Sequence, residues 1–325
     1  MAYAALIGAE VKRKEDPRLI RGAGTYVGDL KLPDMLHVAL VRSPYPHARI
    51  GAITRAAAEA MPGVVAVITG ADLQDSYELL PSASSGEGGG GSLQTDRTRY
   101  PLSVGLVRHV GEAVAAVIAA SLPEAIDAAE AVQVDWDPLP SVADPLRALE
   151  PGAPIIFAGM KDNIDHARKR VRGDADAAFA AAHRVVKQRM VNQRLFGMPM
   201  EGRAVVASPD AATGGITLWT STQTPHQVRG EVAAVLRLSE GQVRVIAPDV
   251  GGGFGVKIGV FPEDALIGAL SMRLGVPLRW VESRLEHVFA TTHGRGQVAD
   301  LEAAVQAGGR PGRCPRPPCA PRAGR

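Results

Sequence analysis

The chain has 325 residues, 46% hydrophobic and 22% charged, a composition that suits substantial folded cores and, at about 150 residues per domain, two of them. Its formal net charge of +2 hides a split, because five arginines and no acidic residue occupy the last sixteen positions while the rest carries 31 basic and 34 acidic residues. With 4% aromatics and no basic stripe, nucleic-acid binding has no electrostatic footprint. Cys314 and Cys319 are the only cysteines, which excludes a disulfide framework or thiolate-held metal in the body. No run approaches the ~20 apolar residues of a membrane span, and no basic segment precedes the short apolar run at the start. A cytoplasmic chain is expected.

Along the chain, Gly22, Gly24, Gly28 and Pro33 punctuate short strands, among them Met35 to Arg42. Thr54 is placed to cap a short helix ending at Ala60, Pro62 and Gly63 make a turn, and Val64 to Thr69 is a β-branched buried strand. Residues 81–98, rich in glycine and serine, read as a flexible surface loop. Val104 to Val107 and Ala113 to Ala119 resume the strands, Ser121 caps a helix with Pro123 and Glu124 in its first turn, and Ala131 to Trp136 follows as a strand. Periodicity fades from Pro138 to about Asn163, where an interdomain linker is expected.

A second α/β unit opens with a helix from Asp174 to Ala182 and a long strand from Arg184 to Gln193. Ala204 to Ala207 and Ile216 to Ser221 form a hairpin, and Pro225 to Leu238 an amphipathic helix. Then come the strand Val243 to Ala247, a glycine-rich loop, a helix from Pro262 to Leu274 closed by Gly275, and the strand Val276 to Val281.

The loop, Gly251-Gly252-Gly253-Phe254-Gly255, is the most informative feature, since side-chain-free backbone lets amides approach a bound anion or oxo group. It is not a dinucleotide fingerprint, because Val256 or Ile258 stands where the third glycine belongs, and not a P-loop, because Lys257 precedes Ile258 rather than serine or threonine. Those mismatches weigh against an unrelated nucleotide-binding module; a merely tight loop is the plain alternative. Gln223 ends a strand before a helix, where α/β ligand sites lie. His226 reads as a helix-entry residue, and His287 and His293, six apart, fit no zinc spacing and read as structural. Glu112, Asp135 and Asp137 read as solvated strand ends, and no Ser, His and Asp triad stands out.

Taken together, EDPRLIRGAGTYVGDL, VRSPYPHARI, VRHVGEAVAAVIA and AVQVDWDPLPSV, followed by MPMEGRAVV, WTSTQTPHQVRG, RVIAPDVGGGFGVK, FPEDALIGAL and EHVFATTHGRGQ, resemble the molybdopterin-binding large subunit of the xanthine dehydrogenase, aldehyde oxidase and carbon monoxide dehydrogenase family. The resemblance implies a mixed α/β (α+β) fold: a hammerhead domain over 1–145, an incomplete first molybdenum-cofactor domain over 146–305, and an aberrant tail over 306–325. It implies a cofactor, molybdenum–molybdopterin cytosine dinucleotide, contacted by Gln223, Gly252, Gly253, Phe254 and Gly255, with no protein side chain ligating the metal. Small 2Fe-2S and medium FAD-binding partner subunits are implied as well, in a dimer of heterotrimers.

The implied activity is oxidation of carbon monoxide, an aldehyde or an N-heterocycle with water-derived oxygen. The family's catalytic glutamate is expected beyond the end of this chain, so little turnover is expected alone; a non-catalytic remnant that only binds partner subunits is the alternative. Ile258, where some relatives place a purine-binding glutamate, argues against purines. Gly202 replaces a usual proline and Val256 a common glycine, changes expected to loosen the site slightly. After about Val305 the family-like sequence gives way to arginine, proline, glycine and alanine, the residues that GC-rich DNA encodes out of frame, so a frameshift is expected there.

Overall fold

The computed structural model describes residues 8–80, 100–164, 167 and 169–308; the loop expected at 81–98 and the tail from 309 lie outside them. By contacts the chain forms two units. One runs to Met160 and includes Met198–Thr291; the other comprises Lys161–Gly197 and the residues from Thr292 on.

In chain order, the first unit starts with α1 (Asp16–Leu19), β1 (Leu36–Arg42), β2 (Ala48–Thr54), α2 (Ala56–Glu59), β3 (Val64–Thr69) and α3 (Gly70–Leu73). Next come β4 (Leu106–Val107), β5 (Ala113–Ala119), α4 (Leu122–Ala131) and β6 (Gln133–Pro138). The second unit holds α5 (Ala175–Ala180) and β7 (Arg184–Leu195). The first unit continues with β8 (Ala204–Asp210), β9 (Gly215–Thr220), α6 (Pro225–Val235), β10 (Val243–Ile246), α7 (Pro262–Leu274), β11 (Leu278–Val281) and α8 (Arg284–Ala290), and β12 (Gly294–Val305) belongs to the second. The mixed α/β class expected from the sequence is what forms.

Local chemistry accounts for most of these boundaries. Ser121 caps α4 by accepting from the Glu124 amide, and Asp174 caps α5 by accepting from Ala177. In the β8–β9 hairpin, Asp210 accepts from the Ala212 amide and the Thr213 hydroxyl, fixing the turn. α7 has Pro262 in its first turn and ends at Gly275, left-handed at φ 71°.

Some boundaries differ from the expectation. Thr54 does not cap α2: it ends β2, paired with Gln133, and Arg55 takes the cap position without a side-chain bond. A β-branched residue gains more from the ladder than from a four-residue helix. Ala131 completes α4, so β6 starts two residues later than expected. β11 starts after Pro277, which has no N–H for the ladder. Glu112 is half-buried rather than solvated, accepting from the Arg108 amide at 2.6 Å, while Asp135 and Asp137 are exposed as expected.

Seven strands make one sheet in the order β10-β9-β8-β11-β1-β5-β3, and β4-β2-β6 make a small second sheet. β5 is buried throughout, as its unbroken run AVAAVIA requires. One core, containing Ile118, Leu218, Leu266, Leu270, Leu278 and Trp280, lies between this sheet and helices α6 and α7. The second unit pairs β7 with β12 antiparallel, Arg184 opposite Val305 through Leu195 opposite Gly294. Lys187 with Glu302 and Arg189 with Asp300 form cross-strand ion pairs.

Candidate functional site

β9 and β10 are parallel neighbours, Val243 beside Ile216 through Ile246 beside Trp219. The segments leaving their carboxyl ends therefore emerge at one edge of the sheet. The first carries Gln223 and the second carries Gly251 to Gly255, so topology alone brings the two together. β8 runs antiparallel to β9, so the residues before its start, Met198 to Arg203, reach the same edge.

Gln223 and the glycine turn are hydrogen-bonded. Gln223 Oε1 accepts from the amides of Gly255 at 3.0 Å and Lys257 at 3.4 Å, while the backbone N–H of Gln223 donates to the Lys257 carbonyl at 2.8 Å. A Cβ on Gly253 would lie 2.5 Å from Gln223 Cδ, so only glycine allows this approach. Gly255, at φ 88°, is different: nothing lies within 4 Å of where its Cβ would be. Phe254 has φ 50° and is 74% exposed, and an added Cβ on Gly252, at φ 102°, would sit 3.0 Å from its ring and 3.1 Å from Pro199.

Beneath the turn lies a charged cluster that the sequence did not reveal. Lys257, 1% exposed, donates to Glu201 Oε2 at 2.9 Å and to Ser221 Oγ at 2.7 Å. Ser221 Oγ donates to the same Glu201 oxygen at 2.7 Å, and so does the Gly251 amide at 2.7 Å. Burial pulls the Lys257 ammonium below its ordinary value, with Glu201 opposing. Glu201 Oε1 is buried without a partner among the described residues. On the amino-terminal side Asp249 accepts from Arg18 and from the Thr25 amide, and the Arg18 hydrogen bonds hold its carboxyl down to about 2. Arg284 donates to the carbonyls of Pro199 at 2.6 Å and Met200 at 2.7 Å.

Deeper, Arg203 is bound by Glu263 at 2.8 Å and Glu282 at 2.7 Å, with its guanidinium 4.1 Å from the Phe261 ring centre. Arg42 bridges Glu263 and Glu286, both at 2.8 Å. Burial pushes the Glu263 carboxyl up, but Arg203 and Arg42 outweigh it and hold it well below the usual carboxylate range. Burial pushes Asp264 the other way, up to about 6, although it accepts from the Phe261 amide and Thr220. His287 is fully buried against Glu282 at 2.8 Å, in keeping with a structural histidine, and His226 is exposed in the first turn of α6. The only legible signal for this cluster was charge next to apolar runs: Arg203 before Ala204-Val205-Val206, Glu263 and Asp264 opening an apolar helix, and Glu282 after Trp280-Val281.

The two departures noted in the sequence are tightly packed. A Cβ on Gly202 would meet the Glu282 carbonyl at 3.0 Å, and Val256 is 5% exposed. Among the described residues no group of three or more His, Cys, Asp or Glu is placed to hold a metal, and no helix is long and apolar enough to cross a membrane.

Two families match this architecture. Residues 21–140 match the aldehyde oxidase and xanthine dehydrogenase a/b hammerhead domain, and residues 156–311 match the molybdopterin cofactor-binding domain. The chain belongs to the xanthine dehydrogenase, aldehyde oxidase and carbon monoxide dehydrogenase family of molybdopterin-binding large subunits. It is 41% identical to the 6-hydroxypseudooxynicotine dehydrogenase complex subunit gamma of Paenarthrobacter nicotinovorans, over 94% of this chain and 38% of that one. With the carbon monoxide dehydrogenase large chain of Afipia carboxidovorans it shares 37% identity, again over 94% and 38%. The crystal structure of quinoline 2-oxidoreductase from Pseudomonas putida 86 superposes with a TM-score of 0.85 at 38% identity, covering 94% of this chain and 38% of that one. The chain thus spans about 38% of the length of these relatives.

Proposed function

We propose that the chain is part of the large subunit of a molybdenum-dependent hydroxylase, and that Gln223, Gly252, Gly253, Phe254 and Gly255 contact a molybdenum–molybdopterin cytosine dinucleotide. The observation that carries this reading is the Gln223–Gly255 bond. It commits the oxygen of the carboxamide to the turn and leaves the amide nitrogen, which has no partner among the described residues, as a donor. No side chain stands over the exposed Gly255, and a carboxamide N–H beside it is a donor that suits oxo and phosphate oxygens. The residues present fit the group. The carbon monoxide dehydrogenase relative favours the cytosine dinucleotide form.

When bound, the cofactor supplies the redox centre for oxidising carbon monoxide, an aldehyde or an N-heterocycle with water-derived oxygen. The chain's own part is placement. Gln223 donates from a fixed orientation, the turn keeps side chains clear, and the Arg203–Glu263–Glu282 cluster ties the start of β8 to the start of α7 and the end of β11. No residue of this chain is assigned the role of base. The domain division 1–145 and 146–305, the small 2Fe-2S and medium FAD partner subunits, the dimer of heterotrimers and a cytoplasmic setting belong to the same proposal. The names of relatives as a complex subunit and a large chain support the presence of partners.

The test is to express the chain with such partner subunits in a host that makes the cofactor, then measure molybdenum and the cytosine nucleotide released by acid. Both are expected, in equal amounts. Purified complex with neither would contradict the proposal and fit a non-catalytic remnant.

A further inference from the structure

Four glycines in five positions, with only the exposed Phe254 among them, leave the turn no buried side chain with which to hold itself in place. Free glycine-rich backbone also loses more conformational entropy on ordering than any other. Gln223 holds the turn's far end through the amides of Gly255 and Lys257, and a second atom holds its entry. Glu201 Oε2 receives the Gly251 amide, where the turn begins, and Lys257 Nζ, just after it ends. The Ser221 hydroxyl, next to β9, is its third donor. The Glu201 amide in turn donates to the Gly251 carbonyl at 3.2 Å. A Cβ on Gly251 would strike Glu201 Cβ at 2.5 Å, so glycine is required here for the contact with Glu201.

We infer that Glu201 is a positioning residue: its carboxylate staples the entry and exit of the glycine turn and so sets the turn against Gln223. Lys257 makes this compatible with an anionic ligand. Its buried ammonium cancels the carboxylate charge directly below the turn, so the amides above face no uncompensated negative charge. The staple is a property of the chain itself, while its use in seating a cofactor rests on the function proposed above.

Amide hydrogen exchange on the full chain without cofactor tests it. Glu201→Ala is expected to speed exchange at Gly251, Gly255 and Lys257 by roughly tenfold or more, while the amides of β5 change by less than about threefold. Glu201→Gln keeps an acceptor oxygen and is expected to restore most of the protection at Gly251, a rescue that a space-filling role alone would not require. Should Glu201→Ala fail to fold, Lys257→Met is read in the same way, with faster exchange expected at residues 255–259 and none at β5. Unchanged exchange in the turn, or a rise shared equally by β5, overturns the staple. Because no cofactor is present, that failure leaves the cofactor reading untouched, and a complex without molybdenum leaves the staple untouched.

Discussion

Gln223 Oε1 sits 3.0 Å from the amide nitrogen of Gly255, joining the segment after β9 to the segment after β10. Gly253 lies between them with no room for a methyl group. Gly253→Ala is therefore expected to displace Gln223 and break the bond, lowering stability by about 1–3 kcal/mol. Urea unfolding measures the loss, and a variant as stable as the parent would show that the carboxamide moves aside freely.

Gly255→Ala separates stability from binding. Its Cβ meets no protein atom, so the fold bears only the cost of a left-handed alanine, about 1–2 kcal/mol. The same Cβ enters the space assigned to the cofactor. A folded complex with sharply reduced molybdenum content is the expected outcome; full metal content would place the ligand elsewhere.

Breaking the buried ion cluster is expected to cost far more. Arg203→Met leaves Glu263 and Glu282, both almost wholly buried, short of their shared cation, a change on the order of 3–5 kcal/mol. Thermal unfolding would register it as a large fall in Tm, and a shift of a degree or two would mean that Arg42 and His287 compensate.

The pH dependence has two opposed parts. Burial pushes Asp264 from 3.8 up to about 6 in the folded chain. Between those values the folded state holds a proton that the unfolded state has released. Stability thus falls as pH rises from about 4 to about 6, by something on the order of 3 kcal/mol. Glu263 acts in the opposite sense: held below its ordinary value, it stabilises above about pH 4.5 and the contribution is lost on further acidification. Asp264→Asn removes the first slope, which denaturant titrations between pH 4 and 7 would reveal, and keeps the second, at lower pH. A variant with the parent's slope in that window would remove Asp264 as its source.

Much of the fold was legible because periodicity and punctuation carried it. The run Ala113–Ala119, the cap at Ser121 and the span from Pro262 to Gly275 form as the local chemistry demands. Of the boundaries that moved, that at Thr54 depends on a ladder partner distant in sequence, Gln133, whereas that at Val276 follows from the neighbouring Pro277. At the site, the glycine turn and Gln223 stood out, the one by composition and the other by its place between a strand and a helix. Glu201 and Lys257 did not, because a carboxylate and a lysine 56 residues apart carry no mutual signal until β8, β9 and β10 align.

The most direct test is anomalous scattering at the molybdenum edge from crystals of the chain assembled with cofactor and partner subunits. The account requires a single strong peak beside the Gln223 carboxamide nitrogen, over the open face of Gly255. A peak on another face of the sheet, or one separated from Gln223 by the body of the domain, would contradict it.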